Sequence, residues 1–143
     1  MADSQIEIQI GDNSLKNNHY WKKLISMFAV VGRKFEIHCW NEETEEIKGA
    51  LAFGKEKPDD WAFGRIIEGI IDEKFIEMIH HTIKPQDTEI YNKMTPFFSI
   101  FIENGFYSEH YGTEIHILSA PMEDKVFTAF LKELQEYAVV NVL

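Results

Sequence analysis

"KFEIHCWNEETEEIKGALAFG", Lys34–Gly54, is the stretch on which the fold turns. Its first part alternates: Phe35, Ile37 and Cys39 fall on one face, Glu36, His38 and Trp40 on the other, the period of a half-buried strand. Asn41–Glu46 then places four glutamates in six residues, which reads as a solvated hairpin loop. Ile47–Gly54 reads as a second strand, with Leu51 and Phe53 opposite Ala50, Ala52 and Gly54. A charged loop with Pro58 leads to Trp61–Gly69, a third strand with Trp61, Phe63 and Ile67 opposite Ala62, Gly64 and Ile66. Residues 61–71 also fit helical spacing, but Gly64 and Gly69 would each cost a helix about 1 kcal/mol relative to Ala, which favours the strand. The repeated "LAFG" and "WAFG" fit matching strands of one hairpin, so residues 35–69 predict a three-strand antiparallel meander.

Working outward, Ile6, Ile8 and Ile10 alternate with polar residues and predict a strand. Trp21, Leu24, Ile25 and Phe28 recur at helical spacing, after a cap at Ser14 or Asn18 and before Gly32. Asp72 is placed to cap a helix bearing Phe75, Ile76, Ile79 and Ile83 that stops before Pro85. Helix is also predicted over Asp87–Met94 and, after a restart at Thr95–Pro96, over 97–104. Asn104–Gly105 suits a hairpin turn as well; the helix ending is preferred, with Phe106 folded back onto Phe101. Thr113–Leu118 predicts a strand. Pro121–Tyr137 predicts a helix with a stripe of Val126, Phe127, Phe130, Leu131 and Leu134, and Val139–Leu143 a short last strand. The sum is one α+β domain over residues 1–143, with a mixed sheet that contains an antiparallel meander and helices on at least one face.

A chain of 143 residues, 45% apolar and with eleven phenylalanines, can bury a core without disulfides. Its net charge is −10, and the excess is uneven: five basic and four acidic residues precede position 41, nine basic and twenty acidic follow it. Such a field repels phosphates and disfavours nucleic acid as a direct partner. The lone cysteine, Cys39, fits a reducing compartment, and neither a signal peptide nor an apolar run of membrane length is found, so a cytoplasmic location is expected.

No motif of a cofactor, a nucleotide or a catalytic nucleophile is found. His38 and Cys39 are adjacent, but strand alternation sends them to opposite faces, leaving a buried thiol. His80 and His81 diverge on a helix. His110, Glu114 and His116 are near in sequence but lack the spacing of zinc motifs, so no metal site is assigned. The small residues Ala50, Ala52, Gly54, Ala62 and Gly64 would line one sheet face, for helix packing or a shallow pocket.

What remains is charge. Glu42, Glu43, Glu45 and Glu46, with Trp40 beside them and Asp59 and Asp60 in the next loop, are the candidate contacts to a basic protein. In a meander the two loops lie at opposite ends of the strands, which makes the hairpin tip the better single surface. In size, acidity and compartment the chain resembles the small acidic immunity proteins with which bacteria neutralise nuclease toxins. That resemblance implies a non-enzymatic inhibitor whose carboxylates stand in for phosphates in a cationic cleft. A small enzyme or ligand-binding protein, with a pocket over the small-residue face, is the alternative. A homo-oligomeric structural protein, joined through the aromatic residues 97–107, is a third.

Overall fold

The structure, a computed structural model, describes residues 4–11, 15, 17–58, 61–85 and 93–143. Among these, eight strands form one sheet: β1 (Ser4–Gln9), β2 (Lys34–Trp40), β3 (Lys55–Glu56), β4 (Gly64–Ile70), β5 (Ser99–Ile102), β6 (Phe106–Glu109), β7 (Glu114–Ala120) and β8 (Val139–Val142). The helices are α1 (His19–Phe28), α2 (Thr44–Leu51), α3 (Glu73–His81) and α4 (Lys125–Leu134). The strand order is β3-β4-β2-β5-β6-β7-β1-β8, and every described pairing is antiparallel, where a mixed sheet was expected.

The helices cover one face of this sheet. Trp21, Leu24, Ile25 and Phe28 of α1, Phe75 and Ile79 of α3, and Phe127, Phe130, Leu131 and Leu134 of α4 pack in a single core. They meet Ile6, Ile8, Phe35, Ile37, Ile67, Ile100, Ile102, Phe106, Ile115 and Ile117 from the strands. The alternation predicted for β1, β2 and β7 and the apolar faces of α1 and α3 are therefore as expected. The α4 stripe loses Val126, which is exposed in the first turn. Ile83 lies beyond α3 and is also exposed. Asp72 caps α3 by accepting from Phe75 N–H at 2.9 Å.

Two segments differ from the expected elements. Thr44–Leu51 is helix α2, not a strand. Glu45 and Glu46 occupy its first turn and Lys48 its last, which matches the helix dipole. Ala50 is buried, and Ile47 and Phe53 pack against the core, while Leu51 is exposed. β2 and β4 still pair, but with α2 and the short β3 inserted between them, so the meander predicted over 35–69 does not form. The small-residue band dissolves with it: Ala50 lies in a helix, and Ala52 and Ala62 in turns.

The second difference is at 97–104, where Ser99–Ile102 forms a hairpin strand in place of the helix. Ile100 and Ile102 turn into the core, and Phe101 points away from it. Glu103–Gly105 make the turn, with φ of 79° at Asn104 and 92° at Gly105, and Phe101 faces Tyr107 across it. Thr95 does not cap a helix; its hydroxyl donates to Phe97 O at 3.2 Å. The meander of this protein is β5–β6–β7. The helix predicted over Asp87–Met94 falls largely outside the described residues, as does the Ser14 cap.

Candidate functional site

Because the helices take one face of the sheet, no helix among the described residues covers the side chains on the opposite face. Cross-strand register assembles a row that runs over all eight strands: Lys55, Glu68, Glu36, Phe101, Tyr107, His116, Glu7 and Asn141. Its centre is aromatic and its flanks are acidic. His38, one position along from Glu36 on the same face, stacks edge-on against Phe101 with centroids 4.7 Å apart. Phe101 and Tyr107 are 5.3 Å apart, and Tyr107 and His116 are 6.4 Å apart.

The aromatic surface continues through Trp61, 5.7 Å from His38 and 5.2 Å from Trp40. Trp61 is half-buried and does not belong to the core, as its alternation with Phe63 would have it. It lies over Gly64, where a Cβ would come within 2.3 Å of the indole. Trp40 then meets Phe98 at 4.8 Å, and Phe98 meets His110 and Tyr111. Trp40, Phe98, His110 and Tyr111 wall a cup of about 360 Å³ at the β6–β7 turn.

The carboxylates of this face are Glu7, Glu36, Glu68, Glu109 and Glu114. Two pairs stand directly opposite one another across strands: Glu36 with Glu68, and Glu109 with Glu114. Like charges so placed destabilise a sheet. Each pair has partial relief. Glu36 accepts from Lys57 at 3.2 Å and lies 3.1 Å from His38 Nε2, and Glu114 lies 2.8 Å from His110 Nδ1. Partial burial alone pushes the Glu36 carboxyl up, but the hydrogen bonds and charges of His38 and Lys57 hold it below its ordinary value. Glu68 and Glu109 have no ion pair among the described contacts.

The acids singled out in the sequence go elsewhere. No hairpin tip exists at 41–46. Glu43 is a staple: its Oε1 accepts from Trp40 N–H at 2.8 Å, and its Oε2 accepts from the Tyr111 hydroxyl at 3.0 Å and sits 3.9 Å from Lys93 Nζ. Its side chain is only 12% exposed. Glu42 precedes α2, and Glu45 and Glu46 lie within it, on the side that the helices cover. Asp59 and Asp60 lie outside the described residues. Trp40 is the one candidate that the fold brings to the open face. Most of its neighbours there were missed because they lie far apart in the sequence, on other strands or in the loops between them.

His110 and Glu114 do meet, but His116 turns to Glu7, at 4.0 Å, and no group of His, Cys, Asp or Glu among the described residues has the geometry to hold a metal ion. Cys39 is buried on the helix side, opposite His38; burial first, then the charges of Glu43 and Glu46, push its thiol up to about 12. Among the described residues no helix is long and apolar enough to cross a membrane. No family model, curated protein or solved structure matches the chain.

Proposed function

We propose that this protein binds a basic protein through the open face of its sheet, and that it acts as an inhibitor of that partner. One observation carries the reading. Glutamates face glutamates on the same surface that holds the aromatic row, and Glu68 and Glu109, which have no ion pair among the described contacts, carry charge that a cationic partner would meet. Aromatic side chains ringed by charge are the composition of interface hot spots. The net charge of −10 adds long-range attraction, raising association rates towards ~10⁸ M⁻¹s⁻¹ at low salt.

A nuclease toxin is the favoured kind of partner, because its phosphate-binding cleft is cationic and carboxylates on a rigid sheet can occupy it. The protein would then work in the cytoplasm, where Cys39 stays reduced. The test is to titrate the protein with a lysine-rich peptide at low and high salt, comparing two sets of variants. Glu7→Gln, Glu68→Gln and Glu109→Gln together should weaken binding and flatten its salt dependence. Glu42→Gln, Glu45→Gln and Glu46→Gln together should leave a larger share of it. Equal losses from both sets would mean that only net charge is being read, and the open face would have no special part.

A further inference from the structure

We infer that the cup at the β6–β7 turn is the anchoring subsite of this surface, and that it takes the guanidinium of one arginine from the basic partner. The inference rests on the open-face reading above. The walls of the cup are Trp40, Phe98, His110 and Tyr111, and its remaining lining, Ile10, Gly11 and Thr113, carries no charge. The rings are mutually tilted: Trp40 to Phe98 by 54°, Phe98 to Tyr111 by 72° and Phe98 to His110 by 84°. They enclose a space instead of stacking it shut.

The turn that builds this wall is unusual. His110 (φ 50°), Tyr111 (φ 59°) and Gly112 (φ 83°) are three successive residues in the left-handed region, two of them with side chains. Such strain persists only where the surroundings hold it. Here they do: Tyr111 N–H donates to Phe98 O at 3.0 Å, and Tyr111 O accepts from Met94 and Thr95 N–H. The result puts the Tyr111 ring inward as a fixed wall and leaves His110 beside Phe98 at the mouth.

Charge selects the occupant. The lining itself holds no carboxylate, but Glu114 Oε2 lies 2.8 Å from Nδ1 of His110, one wall of the cup, and Glu109 stands opposite Glu114 in register. Through His110, Glu114 brings a negative charge to the mouth of the cup. A cation over aromatic faces beside a carboxylate fits lysine or arginine; the planar guanidinium stacks on rings and donates from its edge at once, which an ammonium cannot do. The rings already hold one cation from outside the cup: Lys93 Nζ is 4.6 Å from the Tyr111 centroid.

The experiment uses two octapeptides of equal charge, one of alternating glycine and arginine and one of alternating glycine and lysine, titrated calorimetrically into the whole protein. The arginine peptide should bind about 3- to 10-fold tighter, in keeping with cation–π energies at partly exposed sites. Phe98→Leu and, independently, Trp40→Leu should weaken arginine binding more than lysine binding and so bring the two peptides to a common level. Glu114→Gln should weaken arginine binding more than Glu7→Gln does. Equal affinity of the two peptides for the wild type, or an arginine preference that survives in both ring variants, overturns the subsite and leaves the open-face reading standing. Failure of both peptides to bind overturns the open-face reading itself, and the subsite with it.

Discussion

Replacing Glu109 by Gln should make the free protein more stable. Glu109 stands opposite Glu114 in register and has no ion pair of its own among the described contacts, whereas Glu114 keeps His110. Cross-strand neighbours lie ~5 Å apart, where two unit charges in water repel by about 0.8 kcal/mol. Physiological salt, with a Debye length of about 8 Å, reduces this to roughly 0.4 kcal/mol. For a chain of this size that is a rise in Tm of about 1–2 °C. Thermal unfolding followed by circular dichroism, at about 0.01 M and about 1 M salt, reads the effect; the gain should shrink at high salt, where the Debye length falls to about 3 Å. Glu45→Gln is the control with the opposite sign. Glu45 sits in the first turn of α2, where its charge favours the helix dipole, so its loss should cost about 0.3–1 kcal/mol. A Glu109→Gln protein that is less stable than wild type at low salt would refute the claim that this face carries uncompensated repulsion, and with it the argument that the acids are kept for a partner.

Other consequences follow from particular contacts. Gly64→Ala should lift Trp61 off the sheet, since the new methyl would collide with both the indole and Cys39 O; a red shift in tryptophan emission reads this. Gly105→Ala should cost about 1–2 kcal/mol in urea unfolding, because φ is 92° there and the added Cβ would meet Leu118 at 2.8 Å. The Glu36 carboxyl titrates below its ordinary value in the fold, so its contribution is complete above the unfolded pKa of about 4.3 and fades as pH falls through the lower folded value. Glu36→Gln should therefore flatten the acid limb of the stability curve in that window. Cys39 should resist thiol reagents at neutral pH until the protein unfolds. Its raised pKa contributes stability below the unfolded value of about 8.5, lost progressively up to about 12, and Cys39→Ala should remove that alkaline slope.

The elements that the sequence by itself determined are those with one wet side and one dry side. β1, β2, β7, α1, α3 and α4 each separate apolar from polar residues at a single period, and local chemistry then suffices. The two misread segments break that condition for opposite reasons. Ser99–Ile102 is apolar on both sides, because Phe101 belongs to the open-face row while Ile100 and Ile102 belong to the core; a strand that serves two surfaces imitates a buried helix. Thr44–Leu51 is short and contains Gly49, and its end runs into Ala50, Ala52 and Gly54, whose alternation imitates a strand, although the acids at its start and Lys48 near its end are the marks of a helix.

The candidate site was decided only by the tertiary structure. Glu36, Glu68, Phe101, Tyr107, His116 and Glu7 come from six strands, and nothing in their local sequence links them. Charge could be counted along the chain, and the dense cluster at 41–46 drew the eye. Whether a carboxylate faces a partner, a helix or another carboxylate depends on strand order and register, which long-range pairing sets. That is why Glu43, one of the four acids of that cluster, became a half-buried staple, and a row assembled from scattered residues became the candidate surface.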